Sequence, residues 1–437
     1  MKILIRNGRL VDPASGRDEP GDVAIAAGRI LTLGQVPADF QPNRVIDASG
    51  CIVAPGLVDL AARLREPGHE HEGMLESELN AAAAGGVTSL VCPPDTDPTL
   101  DEPGLVEMLK FRARKLSLCR LFPLGALTRG LKGEVLTEMA ELTEAGCVGF
   151  SQAEVPILDT LVLSRALQYA ATFGYTVWLR PQDGWLGKGV AASGALATRL
   201  GLSGVPVAAE TVAMLTLIEL MRTTGARVHL CRLSSAAGVA LLRSAKAEGL
   251  PISADVSINS LHLTDVDIGY FNSAMRLTPP LRQGADRAAL RAALADGTID
   301  ALVSDHTPVD EDAKNLPFGE AEPGATGLEL LLSLALKWGS DSGLSLPTTL
   351  ARVTSDPVRV LGDALGSLSA SAGQLRTGGV ADVCIFDPAI TWRVSPQGLA
   401  SQGKHTPFAF ESTGMALPGR VRATLVAGTV AFEAEAV

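Results

Sequence analysis

Short apolar runs alternate with amphipathic helical patterns through most of this chain, and this alternation restricts the fold more than any other feature. Strand and helix patterns that alternate in this way are typical of parallel βα units, because parallel strands need a crossover connection. Eight such units in about 320 residues predict an α/β fold, a (β/α)8 TIM-type barrel. The predicted strand segments are the start of Pro55–Gly68, then Val87–Cys92, Arg120–Gly125, Cys147–Phe150, Thr176–Leu179, Arg227–Cys231, Pro251–Val256 and Ile299–Asp305.

The two ends of the chain have a different character. Residues 1–52 and 375–437 alternate short apolar runs with turn-forming pairs such as Asn7-Gly8 and Ala27-Gly28. Neither end is long enough to bury a core alone. We therefore expect both ends to pack together as one small β-sandwich, with the barrel at residues 53–374.

Composition argues against several classes of function. The 437 residues carry a formal net charge of −11, which is unfavourable for binding nucleic acid or an anionic membrane. No segment has the length and apolarity of a membrane span, and the start Met1–Ile5 lacks the profile of a signal peptide. The 6 cysteines show no CxxC spacing. We therefore expect free thiols in a cytoplasmic protein.

The first predicted barrel strand lies in the frame Pro55-Gly56-Leu57-Val58-Asp59, which is followed by Leu64-Arg65-Glu66-Pro67-Gly68. With these segments, and others in the same order along nearly the whole chain, the sequence resembles the dihydroorotase family of the amidohydrolase superfamily. The resemblance implies a barrel whose chemistry lies at the carboxyl ends of its strands. The other matching segments are Asn7–Pro13, Ala83–Thr88, Thr278–Arg282, Ser304–Pro308, Pro323–Glu329 and Asp356–Arg359.

The resemblance also implies where zinc ligands would stand. In active members, histidines on strands one, five and six and an aspartate on strand eight bind the metal, and imidazole and carboxylate are ligands that zinc prefers. Here the four histidine positions hold Ala61, Arg63, Arg180 and Arg232, whereas the aspartate is kept as Asp305. We therefore expect no metal cofactor at these positions, and Asp305 is a retained catalytic position without an expected function.

Strand four and the substrate positions differ from the family as well. The bridging carboxylate is expected at or beside Ser151 and Gln152, and no lysine lies between Lys132 and Lys188 to replace it. Arg65, whose counterpart grips a substrate carboxylate, is retained. The expected asparagine after strand two is Asp95, and the expected histidine after strand eight is Val309. The residues expected to bind metal and substrate are therefore replaced at several strands and not at one alone.

Arg63, Arg65, Arg180 and Arg232 are all expected to point into one barrel mouth. Two interpretations stay open. The guanidinium groups can fill the space and replace part of the positive charge that the metals would supply, so that Asp305 is not buried without a partner. Alternatively, they can bind a small anion such as a carboxylate or phosphate, because guanidinium pairs with both. His306, next to Asp305, is a further candidate for this mouth.

A second histidine motif, His69-Glu70-His71, follows the Pro67-Gly68 turn. Residues i and i+2 of a strand share a face, so this pair can chelate a metal. However, the motif lies beyond the predicted strand tip, and no further ligand converges on it in the sequence. A solvated loop is the favoured interpretation over a displaced metal site.

The resemblance is greatest to non-catalytic dihydroorotase-like chains of some bacteria, which assemble with the catalytic chain of aspartate transcarbamoylase. It therefore implies a pseudoenzyme with a structural role in pyrimidine biosynthesis and a transcarbamoylase partner. We also expect a homo-oligomer. The alternative is an active cyclic-amide hydrolase, of the dihydroorotase or hydantoinase kind, with an altered or absent metal site.

Overall fold

The computed structural model describes residues 1–435 and contains a parallel barrel and a separate sheet made by both ends of the chain. In chain order, the strands are β1 (Lys2–Asp12), β2 (Arg17–Ala26), β3 (Arg29–Gly34), β4 (Arg44–Asp47), β5 (Ile52–Pro55), β6 (Leu57–Asp59), β7 (Val87–Cys92), β8 (Arg120–Pro123), β9 (Gly125–Ala126), β10 (Phe150–Ser151), β11 (Thr176–Leu179), β12 (Ala191–Ala192), β13 (Gly204–Val205), β14 (Arg227–Leu230), β15 (Ile252–Ser257), β16 (Ala301–Val303), β17 (Val383–Arg393), β18 (Ala416–Val426) and β19 (Thr429–Glu433). The helices are α1 (Leu75–Ala84), α2 (Pro103–Leu116), α3 (Met139–Ala145), α4 (Thr160–Phe173), α5 (Ala195–Leu200), α6 (Ala208–Thr224), α7 (Ala236–Ala247), α8 (Ile258–His262), α9 (Gly284–Asp296), α10 (Glu311–Lys314), α11 (Leu331–Asp341), α12 (Leu346–Ala351), α13 (Ser355–Leu361) and α14 (Phe410–Thr413).

The barrel is built from two runs of parallel strands that join at both sides. One run has the order β6-β7-β8 and the other β16-β15-β14-β11-β10-β9. β8 and β9 are neighbouring segments of one path, interrupted at Leu124, and a parallel bridge between Ala62 and His306 closes the opposite side. The predicted (β/α)8 barrel is confirmed, with each strand within or beside its predicted segment.

Local sequence signals explain where the helices begin and end. The carboxylate of Asp159 accepts hydrogen bonds from the first turn of α4, and Ser235 caps α7 in the same way. α4 ends at Gly174, whose φ of 74° is readily adopted only by glycine. The apolar face of α4 packs against the buried strand β11, and that of α7 packs against β15.

Part of the barrel interior is filled by apolar side chains, including Val58, Val91, Trp178 and Val303. His229 lies against Trp178, fully buried, with its ring nitrogens 2.8 Å from Ser253 Oγ and 3.0 Å from Asp255 Oδ2. This histidine is a satisfied core residue, as its position in an apolar strand predicts.

The chain ends form the predicted β-sandwich unit as one sheet that encloses its own core. Its order is β19-β18-β17-β5-β1-β2-β3, with β4 paired to β1. Arg44 of β4 and Glu433 of β19 form an ion pair, so the sheet bends over residues such as Ile25, Val53 and Leu425. β5 is paired with both β1 and β17, which joins the two chain ends in a single hydrogen-bonded structure.

Direct contacts fix this sheet against the barrel. Thr424 Oγ1 donates to the carbonyl of Ala83 at the end of α1, at 2.7 Å. Arg120 of β8 forms an ion pair with Asp382, which precedes β17. Within residues 1–435, no helix has the length and apolarity needed to cross a membrane.

Candidate functional site at the barrel mouth

The carboxyl ends of the barrel strands surround a cavity of about 320 Å³. This is the end of the fold at which parallel-barrel proteins carry out their chemistry. Side chains of the predicted mouth residues Arg63, Arg65, Arg180, Arg232 and Asp305 line it. The structure therefore brings these five predicted residues to one place.

Glu154, in the loop after β10, lies at the centre of the arginine cluster. Its Oε1 accepts a hydrogen bond from Arg63 Nη2 at 2.8 Å, and the same atom contacts Arg232 Nη2. Its Oε2 accepts from Arg180 Nε. One carboxylate thus receives three guanidinium groups that start from three different strands, at the positions where the resemblance implies histidines.

Further carboxylates complete the charge balance of the cluster. Arg63 Nε donates to Asp95 Oδ2 at 2.8 Å, and Arg232 Nη1 donates to Asp305 Oδ1 at 3.1 Å. Burial would raise the pKa of Glu154, but Arg180, Arg232 and Arg63 hold it well below its usual range. Burial raises the pKa of Asp305, with Arg232 and Arg63 opposing this effect. The mouth is therefore a network of mutually neutralising charges.

Arg65 lines the cavity but belongs to a separate group of contacts. Its Nε donates to the carbonyl of Pro308 at 2.9 Å and lies 2.6 Å from Glu72 Oε2. Its Nη2 is 3.4 Å from Glu322 Oε1. The retained arginine of the family's substrate site is thus held by two carboxylates of its own, at the rim of the mouth.

His306 does not lie in the mouth, contrary to the expectation from the sequence. It is fully buried and points between α1 and the loop before α11. Its Nδ1 accepts a hydrogen bond from the Gly327 N–H at 3.1 Å, so its Nε2 carries the proton that it donates to Glu78 at 2.9 Å. Asp305 and His306 are chain neighbours beyond the end of β16, and the left-handed φ of Asp305 separates the directions of their side chains.

Ser151 and Gln152, where a bridging carboxylate was expected, are also turned away from the arginine cluster. Ser151 Oγ accepts from the Ala153 N–H, and Gln152 bonds to Thr128 and to the carbonyl of Leu131. Ala153 has a φ of 50°, a left-handed conformation that redirects the chain and sends the next side chain, Glu154, into the mouth. The sequence gives no signal for the position of Glu154, because this turn carries no glycine or asparagine to mark it.

The same backbone conformation recurs at other strand ends around the mouth. Arg65, Arg232 and Asp305 have φ values of 63°, 55° and 51°. Each non-glycine residue in this region costs of order 1–3 kcal/mol, and such residues concentrate at functional sites. The backbone at the mouth is therefore strained, and its conformation directs the side chains of these residues into one cavity.

The residues present do not fit the zinc ion that the family resemblance implies. Ala61 offers no donor, and guanidinium groups have no lone pair with which to bind a metal. The carboxylates of the mouth, such as Glu154 and Asp305, are each engaged by arginine. No step of a zinc-dependent reaction can be assigned to this set of side chains.

A groove of about 170 Å³ adjoins the mouth and shares Arg180 and Gln182 with it. Its apolar wall includes large side chains that are unusually exposed, among them Leu158 at 62% and Trp185 at 69%. Val155 and Val212 extend the same surface. An exposed apolar groove of this kind is typical of a surface that another molecule covers.

Comparison with known proteins places this geometry in context. Residues 50–237 match the family model described as dihydro-orotase-like. A protein named dihydroorotase-like protein from Pseudomonas aeruginosa is 44% identical over 434 residues, which cover 99% of this chain and 100% of that protein. A protein named dihydroorotase from Geobacter sp. (strain M21) is 38% identical, covering 99% of this chain and 100% of that one.

Solved structures with similar folds are cyclic-amide hydrolases by name. L-Hydantoinase (dihydropyrimidinase) from Arthrobacter aurescens superposes with a TM-score of 0.84 at 25% identity, covering 98% of this chain and 95% of that one. Dihydropyrimidinase from Brevibacillus agri NCHU1002 gives a TM-score of 0.83 at 21% identity, with the same coverage. Both support the barrel with its attached β-sheet unit.

Proposed function

This chain belongs to the dihydroorotase-like family, and from that premise we propose that it is a non-catalytic member, a pseudoenzyme. We propose further that it serves as a structural or assembly subunit beside the catalytic chain of aspartate transcarbamoylase, in the cytoplasmic synthesis of pyrimidines. The amidohydrolase type of barrel is established by the relatives and the fold. The absence of turnover and the partner are the parts that experiment must test.

The observation that carries the proposal is the convergence of Arg63, Arg180 and Arg232 on Glu154. Zinc lowers the pKa of a bound water from about 15.7 to about 7. Losing this shift of about nine units removes roughly 12 kcal/mol of nucleophile activation, at 1.36 kcal/mol per unit. Arginine side chains in the ligand positions cannot supply this activation, because they neither bind a metal nor accept a proton at neutral pH.

General-base catalysis by Asp305 does not compensate for this loss. A well-placed base contributes about 10²–10⁴-fold, or roughly 3–6 kcal/mol. Asp305 is moreover 6% exposed, and its Oδ1 already accepts a hydrogen bond from Arg232, so this oxygen is not free to take a proton from water or substrate. The contribution of a general base is several kcal/mol smaller than the activation that zinc would supply. This difference supports the proposal that the chain has no useful hydrolytic turnover.

The assembly role draws support from the groove beside the mouth. A structural subunit needs a surface that its partner covers, and exposed aromatic and aliphatic side chains are typical of the centre of such a surface. Leu158 and Trp185 provide it next to Arg180, which links the groove to the arginine cluster. We assign the groove to contact with the transcarbamoylase chain.

Occupation of the mouth by a small anion is a separate proposal. Among the described residues, the cavity is lined by four arginines and by four acidic side chains, Asp95, Glu154, Asp305 and Glu322. An anion would therefore have to displace a carboxylate from its guanidinium partner, which makes a weak site. Calorimetric titration with dihydroorotate, carbamoyl aspartate and phosphate tests this, and the absence of heat with all of these ligands would reject it.

The alternative function is that of an active cyclic-amide hydrolase with an altered or absent metal site. It is favoured by the 38% identity to a protein named dihydroorotase and by the open cavity of about 320 Å³. Interconversion of dihydroorotate and carbamoyl aspartate by the purified chain, with and without added Zn²⁺, separates the two functions. We expect no turnover above the buffer rate, and a rate proportional to protein concentration would overturn the pseudoenzyme.

The partner is tested by co-expression of the tagged chain with the transcarbamoylase catalytic chain of its own organism. We expect both chains to elute together in size-exclusion chromatography, and the transcarbamoylase activity to elute with them. A chain that elutes alone at micromolar concentrations of both proteins would contradict the assembly role.

A further inference from the structure

His71, Glu72 and Asp310 meet at the rim of the barrel, on the far side of Arg65 from the cavity. We propose that these three side chains form a binding site for a divalent transition-metal ion such as Zn²⁺. The site lies outside the positions at which the family binds its metal. It would link the loop after the first barrel strand to the loop after the last one.

The distances between the donor atoms suit a shared ion. Nε2 of His71 lies 3.8 Å from Glu72 Oε1 and 3.9 Å from Asp310 Oδ2, and a set of donor atoms, one from each side chain, lies within 4.8 Å of one another. Zinc ligands stand about 2.0–2.2 Å from the ion, so two ligand atoms are about 3.4 Å apart at a tetrahedral angle and farther apart at wider angles. Small side-chain rotations bring the three donor atoms within bonding distance of one shared ion.

Glu72 is the strongest indication that a cation belongs here. Its side chain is only 4% exposed, and none of the residues 1–435 donates a hydrogen bond to its Oε2. Arg65 lies 2.6 Å from one of its oxygens, but the Nε–H of Arg65 is directed to the carbonyl of Pro308. A buried carboxylate without hydrogen bonds is costly unless a positive charge compensates it.

Negative charge also collects around Glu72. The carboxylates of Asp310 and Glu322 act on it, and Arg65 opposes them. A divalent ion at His71, Glu72 and Asp310 would balance this group.

The neighbouring backbone already holds the ligands in place. Asp310 Oδ1 accepts the Ala313 N–H at the start of α10, at 2.9 Å, which leaves Oδ2 directed at His71. The N–H of Glu72 donates to the carbonyl of His69 in a tight turn. Such supporting hydrogen bonds are a regular feature of metal sites, because they orient the ligands before the ion binds. The imidazole of His71 is 63% exposed, so the ion can enter from solvent and complete its coordination with water.

Titration of the metal-free full-length chain with Co²⁺ tests the site, since Co²⁺ takes up zinc sites and absorbs visible light when bound in a low-symmetry environment. We expect one Co²⁺ per chain with a visible absorption band, displaced by Zn²⁺. His71→Gln and Asp310→Asn should each weaken binding by at least about tenfold. Asp312→Asn removes the same charge from an exposed position two residues away and should bind as the wild type does.

Equal affinity of the wild type, His71→Gln and Asp310→Asn for Co²⁺ would overturn the proposal, and so would a folded wild type that binds no Co²⁺. Circular dichroism of each variant separates loss of the site from loss of the fold. The outcome is independent of the pseudoenzyme proposal, because Co²⁺ binding is read without substrate or partner. Hydrolase assays with the His71→Gln variant in parallel show whether any turnover depends on this ion.

Discussion

Nη1 of Arg232 lies 3.1 Å from Oδ1 of Asp305, and both side chains are 6% exposed. The carboxylate that the family keeps for its metal is here neutralised by a guanidinium that stands in a histidine position. Arg232 also contacts Glu154, so the two carboxylates are joined through one cation. The barrel mouth is thus satisfied by its own side chains.

Replacing Glu154 with glutamine should destabilise the protein. The substitution leaves Arg63, Arg180 and Arg232 without the carboxylate that they share. Removing one partner of a buried pair typically costs 3–5 kcal/mol, and because 31% of the Glu154 side chain is exposed we expect a loss of about 2 kcal/mol in the free energy of unfolding. Urea unfolding followed by circular dichroism measures it. Glu134→Gln, at an exposed position in the same part of the chain, is the matched control and should change stability by less than about 0.5 kcal/mol.

Asp305→Asn separates the pseudoenzyme from a metal-free hydrolase. If Asp305 were a general base, its loss would lower any turnover of dihydroorotate or carbamoyl aspartate by about 10²–10⁴-fold. We expect the wild type and the variant to show the same rate as buffer, because Asp305 is paired with Arg232. Measured hydrolysis that disappears in Asp305→Asn would count against the proposed function.

Polar substitution of the groove should weaken assembly with the transcarbamoylase chain. Leu158→Ser combined with Trp185→Ser removes two large exposed apolar side chains without opening the core. Aromatic residues dominate binding energy at interfaces, so we expect the dissociation constant to rise by at least about tenfold, or about 1.4 kcal/mol. Analytical ultracentrifugation of the two-chain mixture measures this. Phe111→Ser changes a 54% exposed side chain of α2 and should leave assembly intact, and equal loss in both variants would reject this role for the groove.

His262 should make the fold sensitive to mild acid. Burial lowers the pKa of His262 to about 3, and its Nε2–H donates to the carbonyl of Leu334 at 2.9 Å. The folded-state pKa lies below the unfolded value of about 6.5, so the unfolded chain binds the extra proton and stability falls as pH drops from 6.5 towards 3. At pH 5, protonation of His262 in the unfolded chain lowers the free energy of unfolding by about 2 kcal/mol.

The contribution of His262 to the pH dependence of stability is measured by comparing the wild type with His262→Gln. The glutamine side chain keeps a donor for Leu334 but does not titrate. Urea unfolding at pH 7 and pH 5 should show a smaller loss of stability in the variant, by about 2 kcal/mol. His69→Gln alters a loop histidine outside the proposed metal site and serves as the control. An unchanged pH dependence in His262→Gln would show that the acid sensitivity arises elsewhere.

Much of the architecture follows from periodicity. The strand segments β7, β11 and β14 lie where the apolar runs predict them, because a parallel strand buried on both faces has a continuous apolar sequence. Equivalent positions at strand ends meet at one mouth, so the convergence of Arg63, Arg180 and Arg232 follows from topology.

The details of the mouth depend on information that periodicity does not contain. The direction of Glu154 is set by the left-handed φ of Ala153, a residue that rarely adopts it. His306 points away from the mouth although its neighbour Asp305 lines it, because the left-handed φ of Asp305 turns the main chain between them. His71 and Asp310 lie 3.9 Å apart in space but far apart along the chain, and no local pattern connects them.

The left-handed residues at the strand ends have a further consequence for protein engineering. Because the main chain at Arg65, Ala153, Arg232 and Asp305 determines where the lining side chains point, the chemistry of the mouth can be exchanged without moving a strand. Substitutions at these positions and their immediate neighbours would present new groups to the same space at fixed relative directions. A redesign of the mouth can therefore keep the backbone, but it has to preserve the charge balance around Glu154.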